Sequence, residues 1–333
     1  MEEFITLSHG AGGRQTADLI GNIFKKHFAN KDFTPDDAAV LDLESKKIAF
    51  STDGFIVSPW QFAGGNIGKL SICGTVNDLA CMGAKPKYLT CAMVIEEGFK
   101  VTDLEAIAAS MAATAAEAGV NIVAGDTKVA GKGQVDGIFI TTTGVGEIMD
   151  GVRTSGALAQ VGDAVIVTGD VGRHGCTILL ERDEFGIEAD VTSDCAPLNQ
   201  TVEALLLESK DIHVIRDATR GGVGTVLYEI CDQSQVGIKL NSEAIPVDDA
   251  VKGVCGMLGL EPLYLACEGR LVIFAPQSVA GKLLEVLHRM PYSQNAAIIG
   301  EVTSEIGKVI VEHSFGGKTI LPQPTGELLP RIC

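Results

Sequence analysis

The chain has 333 residues, 46% of them hydrophobic and 21% charged, with 39 glycines, a balance that belongs to a well-packed α/β protein of about two domains. Its 26 basic and 43 acidic residues leave a net charge of -17, which with no basic run argues against a nucleic-acid partner. No stretch approaches the roughly 18 apolar residues of a membrane span, and Met1-Glu2-Glu3-Phe4 lacks the apolar core of a signal peptide, so a cytoplasmic location is expected.

Taken in chain order, a glycine-rich segment, His9-Gly10-Ala11-Gly12-Gly13, precedes an amphipathic stretch from Thr16 to Phe28. Residues 47–57 read as a strand. Leu70, Cys73, Val76 and Ala80 fall at helical spacing and predict a helix over 67–82. A strand at 88–96, an Ala-rich helix at 104–118 and strands at 121–124 and 137–146 follow. Ala157–Gly162 reads as a boundary. Beyond it, helices are predicted at 176–182, 197–207, 222–233, 247–258 and 279–289. Strands are predicted at 164–169, 214–216, 237–240, 271–275, 297–302 and 308–312. The pattern is two α/β layers, each a sheet covered by helices. The expected division is 1–40 as a glycine-rich segment and helix, 41–156 as a first α/β domain, 157–312 as a second, and 313–333 as a mobile tail. Pro322, Pro324 and Pro330 favour extended backbone there, so the thiol of Cys333 rides on a tether. That tether, counted from Phe315, reaches at most about 60 Å. The nine cysteines include no C-x-x-C pair, and Cys73, Cys81, Cys91, Cys231, Cys255 and Cys267 lie among apolar residues, as small buried hydrophobes in a reducing compartment do.

Three carboxylates stand beside small residues at element edges: Asp53, Asp78 and Asp126. Desolvated carboxylates need partners, and Mg²⁺ shared with phosphates is one such partner; capping of turns and helices is the other. Glycine loops at 9–13, 64–69 and 217–222 are candidate phosphate cradles, the last two running into predicted helices. None has P-loop spacing. Lys128, just after Asp126, and Glu268, in Leu265-Ala266-Cys267-Glu268-Gly269, are charges in apolar contexts. His174 is a further candidate, with a structural role as its alternative.

Together these segments resemble the HypE family of hydrogenase maturation factors over the whole length. The matching residues are His9–Gly13, Ser51-Thr52-Asp53, Gly64–Lys69, Gly74–Asp78, Glu96–Gly98, Gly125–Val129, Asp217–Gly222, Glu268-Gly269 and the terminal Pro330-Arg331-Ile332-Cys333. The resemblance implies the two-domain α/β (α+β) fold of the aminoimidazole ribonucleotide synthetase and selenophosphate synthetase group, with the N-terminal domain pairing in a homodimer and a flexible C-terminal tail. It also implies ATP and Mg²⁺ in a site formed across that homodimer. The implied reaction is ATP-dependent dehydration of an S-carbamoyl group on Cys333 to a thiocyanate. HypF is the implied carbamoyl donor, and the HypC–HypD complex the implied acceptor of cyanide for the iron of [NiFe]-hydrogenase.

The chemistry needs a base near the amide nitrogen, for which Glu268 is the candidate. It needs a cation near the developing charge, for which Lys128 is the candidate. ATP phosphates are expected at His9, Gly12, Gly13, Gly65, Lys69, Asp217, Thr219 and Arg220, and Mg²⁺ at Asp53, Asp78 and Asp126. A selenophosphate synthetase fits less well, because the first cysteine is Cys73, inside a predicted helix. A non-enzymatic carrier that only presents a thiol leaves the three aspartates without a role.

Overall fold

Strand pairing around one buried helix shapes the first half of the molecule. The computed structural model describes residues 3–10, 18–31, 43–183 and 185–323. A 3-10 turn at Leu7–Gly10 and a π-helical turn at Ile20–Phe24 lead into helix α1 (Lys25–Phe28). Then come β1 (Ile48–Phe55), a small hairpin of β2 (Gln61–Phe62) and β3 (Gly65–Asn66), and helix α2 (Ile67–Cys81). β4 (Ala84–Glu96), α3 (Val101–Ala118), β5 (Asn121–Ala130) and β6 (Ile138–Ile148) complete this half. The sheet order is β1-β6-β4-β5, antiparallel except for β4 beside β5, which α3 connects as a crossover.

Helix α2 starts where the Asn66 side chain accepts the Lys69 backbone N–H at 3.1 Å. It is buried almost end to end. Two glycines let it sink that far: a Cβ on Gly68 would lie 2.5 Å from the Ile107 carbonyl of α3, and one on Gly74 would lie 2.7 Å from the Phe55 ring. Its charged residues, Lys69 and Asp78, are only partly exposed. Leu70, Cys73 and Val76 of α2, Leu104 and Ile107 of α3, and Leu89, Met93 and Ile140 of the sheet share one core.

The second half contains β7 (Asp163–Val167), α4 (Arg173–Glu181), α5 (Asn199–Glu208), β8 (Val214–Asp217), α6 (Gly222–Ser234), β9 (Gly237–Asn241) and α7 (Asp249–Leu258). It closes with β10 (Leu271–Pro276), α8 (Gln277–Arg289), β11 (Ala297–Thr303), β12 (Val309–Glu312) and β13 (Lys318–Ile320). The seven-stranded order is β13-β12-β9-β11-β7-β10-β8. One face packs Val165, Val272 and Phe274 against Val226 and Leu227 of α6. The other packs Ile166 and Ile273 against Leu205 of α5 and Leu283 of α8. Burial on both faces explains why Ala164–Val167 and Leu271–Ala275 read as unbroken apolar runs.

Three expectations change. The strand expected to stop at Ala124 runs on to Ala130, so Asp126 and Lys128 lie within β5 and not past its end. Glycine and aspartate are poor strand formers, but pairing with β4 from Asn121 to Ala130 carries the backbone through. Among the described residues the first sheet has helices on one face only: on the other, Phe50 is 71% exposed and Ile48 46%. In the segment expected as tail, Lys318–Ile320 pairs with β12, and Leu321 is buried. The Tyr228 and Tyr264 hydroxyls donate to the carbonyls of Leu321 and Pro322. Gly12, Gly13 and Cys333 lie outside the described residues.

Gly144 of β6 faces α2. A Cβ there would lie 2.8 Å from Leu79, Leu89 and Thr75 side chains at once. Gly144→Ala is therefore expected to destabilise the fold by about 1–3 kcal/mol through overpacking, read as a lowered denaturant midpoint with an unchanged slope.

Candidate active site

A cleft of about 1590 Å³ opens between the two halves. One wall is the Ser51–Gly54 end of β1 with the C-terminal end of α2. The other is the loop after β8 and the exposed side of α6. Asp53, Asp78 and Asp217 all line it, as do Arg216, Thr219 and Arg220. The Ser51 hydroxyl donates to Asp78 at 2.6 Å, and the Gly54 N–H donates to Asp53 at 2.8 Å. Arg216 reaches Glu229 of α6 at 3.0 Å.

The charges crowd one another. Enclosure by the cleft walls raises the Asp53 and Asp78 carboxyls above the usual range. Burial, then the Asp78 charge, pushes Asp217 up to about 6. Part of the Asp217 side remains open along the cleft; its other sides meet protein, and that enclosure dominates. An anionic pocket with proton affinities shifted this way favours cations that can neutralise it.

The loop from Asp217 to Gly222 leads into α6 through two glycines with positive φ, Gly221 at 75° and Gly222 at 61°. A Cβ on Gly222 would lie 2.5 Å from the carbonyls of Leu263 and Leu265. That close approach presses the loop against the segment that carries Glu268. The first backbone N–H groups of α6 lie next to Thr219 and Arg220, an arrangement suited to phosphate.

Glu268 is 4% exposed. Burial first, then the Cys195 thiol and the charges of Asp194, Asp217 and Asp53, lift its carboxyl well above the usual range. Lys128 is not among those groups; its ammonium pairs with Asp126 at 2.9 Å on β5. The sheet register explains the separation. Asp53 shares a cross-sheet row with Thr142, Cys91 and Gly125, and Gly54 shares the next with Thr141, Ala92 and Asp126. Asp126 thus projects from the face away from α2, three strand spacings or about 14 Å across the sheet from β1. Among the described residues no group of three His, Cys, Asp or Glu side chains is disposed to hold a metal. Mg²⁺ bound with a nucleotide needs only one or two carboxylates besides phosphate oxygens and water, and Asp53 with Asp78 meets that requirement.

The other expected phosphate residues sit elsewhere. His9 is buried and accepts the Thr6 N–H on Nδ1 at 3.1 Å. Gly65 is in β3, and Lys69 turns back to donate to the Gly64 carbonyl at 3.1 Å. His174 is fully buried, edge-on to Phe62, with Nδ1 at 2.8 Å from the Ser193 hydroxyl. Burial pushes its pKa down to about 3, so it is neutral. Cys73, Cys81, Cys91, Cys176, Cys195, Cys231, Cys255 and Cys267 are all buried and reduced. Sequence reasoning missed Asp194, a buried acid beside Glu268. The signal was the one that picked out Glu268: an acid within the apolar run Cys195-Ala196-Pro197-Leu198 that follows it.

Comparisons with known proteins place the chain in a family. AIR synthase related protein, N-terminal domain, matches residues 35–148, and the corresponding C-terminal domain matches residues 160–312. Carbamoyl dehydratase HypE of Azotobacter vinelandii is 43% identical over 99% of this chain and 97% of its own. The Escherichia coli K12 protein of that name is 43% identical over 99% of each. A crystal structure of hydrogenase maturation protein HypE in complex with ATP superposes with a TM-score of 0.95 at 46% identity, covering 98% of this chain and 99% of that one. A HypE chain from a HypE-HypF complex gives 0.82 at 45% identity over 92% and 99%. Thiamine-monophosphate kinase from Stenotrophomonas maltophilia, at 0.64 and 20% identity over 88% and 95%, shares the fold.

The raised Asp217 carboxyl has a consequence for stability without nucleotide or metal. Its folded pKa of about 6 lies above the ordinary aspartate value of 3.8, so the folded protein binds more protons than the unfolded chain between these values. The resulting penalty is absent below about pH 4, grows through the window and is complete above about pH 6. Asp217→Asn is expected to raise the melting midpoint at pH 7–8 in chelator, with the gain shrinking as pH falls toward 4. A gain independent of pH would show that the Asp217 charge is not the cause.

Proposed function

The chain belongs to the HypE family of carbamoyl dehydratases, and from that premise we propose that it dehydrates a carbamoyl group on the sulfur of Cys333 to a thiocyanate, using ATP. Cyanide released from that thiocyanate would furnish the iron ligands of [NiFe]-hydrogenase. The observation that carries this reading is Glu268, a buried acid whose proton affinity is raised by burial and by the charges of Asp217 and Asp53, two residues that line the cleft. A raised proton affinity suits it to take a proton from an amide-derived nitrogen. Burial of the eight other cysteines supports Cys333 as the acceptor thiol.

The amide oxygen attacks the γ-phosphorus of ATP and ADP leaves, while one N–H proton is lost. The product is an imidoyl phosphate on sulfur. Glu268 then takes the remaining N–H proton as the carbon–oxygen bond breaks, giving the nitrile and inorganic phosphate. Overall, the carbamoyl thioester and ATP become thiocyanate, ADP and phosphate. Thr219, Arg220 and the start of α6 hold phosphate oxygens, with Asp217 closing the loop; His9, Gly12, Gly13, Gly65 and Lys69 are the further nucleotide-side candidates. Asp53 and Asp78 would hold Mg²⁺, which neutralises charge on the transferring phosphoryl group. Lys128 stabilises the amide oxygen, and Asp126, its partner, remains a ligand candidate for an ion shared with a second copy.

That second copy follows from the open face of the first sheet. Phe50 and Ile48 lie exposed on it with the Asp126–Lys128 pair. A homodimer through this face would cover the apolar residues and enclose that pair. Likeness to the HypE chain of a HypE-HypF complex supports HypF as the carbamoyl donor. The HypC–HypD complex is the proposed cyanide acceptor.

Two experiments test these proposals. With HypF, carbamoyl phosphate and Mg-ATP, intact mass should show the parent protein gaining a carbamoyl group and then losing water. Cys333→Ala should gain nothing. Glu268→Gln should load normally and form nitrile about 10²–10⁴-fold more slowly; Lys128→Ala should cleave less ATP. Modification mapped to another cysteine, or normal nitrile formation by Glu268→Gln, overturns the assignment. Separately, Phe50→Glu is expected to convert a homodimer to a monomer by light scattering, and an unchanged mass would place the interface elsewhere.

A further inference from the structure

An irregular strap, residues 192–198, crosses between the two halves with neither helix nor strand. At one end it is fastened to α2. The Asn77 amide uses both its atoms: Nδ2 donates to the Ala196 carbonyl at 3.1 Å, and Oδ1 accepts the Leu198 N–H at 2.7 Å. Asn77 is the neighbour of Asp78. Near its start, the Ser193 N–H donates to the Ala63 carbonyl at 3.0 Å. The Ser193 hydroxyl meets neutral His174 at 2.8 Å and accepts the Cys195 N–H at 3.1 Å.

At the other end the strap brackets the main chain of Glu268. The Glu268 N–H donates to Asp194 Oδ1 at 3.1 Å, and its carbonyl accepts the Ala196 N–H at 3.5 Å. Asp194 is held in turn by Arg270, whose Nε lies 3.6 Å from Oδ2. Arg270 is fixed by donating to the carbonyls of Asp170, Gly269 and Tyr292. Contact is so close that a Cβ on Gly269 would lie 1.8 Å from the Asp194 carbonyl. A buried carboxylate with this few partners is costly to keep, and its placement against the Glu268 backbone gives that cost a use.

We infer that Asn77 and Asp194 are positioning residues: through the strap they set Glu268 in register with the Asp78 end of α2. The inference rests on the reading above that Glu268 is the base. Its chemical consequence is specific. Phosphoryl transfer needs the α2 and α6 walls, whereas the second proton transfer needs Glu268 placed to within a fraction of an ångström. With the strap loosened, the imidoyl phosphate outlives its base. Water then attacks it, returning the carbamoyl group and releasing phosphate without nitrile.

The test is the ratio of phosphate released to thiocyanate formed by carbamoylated protein in a single turnover with Mg-ATP. The parent should give one phosphate per thiocyanate. Asn77→Ala and Asp194→Ala, which cut opposite ends of the strap, should each raise the ratio several-fold while still cleaving ATP. General loss of folded protein lowers both products together and leaves the ratio at one. Asp194→Asn, which keeps the volume and removes the charge held by Arg270, stands in if the alanine variant does not fold. A ratio of one in the strap variants, with Glu268→Gln uncoupled in the same assay, overturns this inference and leaves the base assignment standing. A ratio of one and full yield in Glu268→Gln removes both.

Discussion

Anionic groups forced together between two domains are the constraint on which the rest of the structure depends. Asp53, Asp78, Asp217 and Glu268 each have a raised proton affinity, and for each the leading cause is burial; for Asp53, Asp217 and Glu268 a neighbouring aspartate adds to it. No folded protein gains stability from such an arrangement by itself. Arg216 and Arg220 relieve part of the repulsion at the cleft edge, but Arg216 is shared with Glu229. What remains is a site short of positive charge, a shortage that a divalent cation would relieve. The same crowding that costs stability raises the proton affinity of Glu268.

Holding the repelling groups in place requires rigid walls, and those come from close backbone approach. Helix α2 is locked by Gly68 against α3 and by Gly74 against Phe55, so Asp78 cannot retreat from Asp53. Thr75 and Thr142 join α2 to β6 through their hydroxyls at 2.6 Å, and Thr142 also donates to the Ser71 carbonyl at 2.8 Å. On the other side, Gly222 lets the phosphate loop rest on the segment just before Glu268. Each contact substitutes main-chain or short side-chain bonding for long flexible side chains, which reduces the entropy that ordering the site would cost.

Much of the fold was legible because its periodicities are clean. The helices over 67–82 and 222–233 and the buried strands over 164–169 and 271–275 were readable from apolar spacing and from turn residues at their ends. The extension of β5 through Gly125 and Asp126 was not, since only pairing with β4 makes such residues extend. The anchored strand Lys318–Ile320 was hidden for a related reason: its partner β12 and the Tyr228 and Tyr264 hydroxyls lie far away in sequence. At the site, the carboxylate identities came from apolar context and from family likeness. Which of them share a cleft did not, because a difference of one strand position sends Asp53 and Asp126 to opposite faces of a sheet.

That single-residue alternation also divides the labour of the sheet. Its inner face, with Asp53, Thr142 and Cys91, is committed to α2 and the cleft. Its outer face carries Phe50 and the solvent-exposed Asp126–Lys128 pair. A surface ion pair in water contributes about 0–1 kcal/mol, too little to act as a stability device on this face. The pair becomes energetically significant only when the face is covered and water withdrawn, since Coulombic interaction strengthens as the local dielectric falls. Covering the apolar residues and withdrawing water from the pair would therefore be one event on this face. Phe50 and the Asp126–Lys128 pair stand on its opposite edge strands, β1 and β5, while Glu268 belongs wholly to the second half of the chain and its strap.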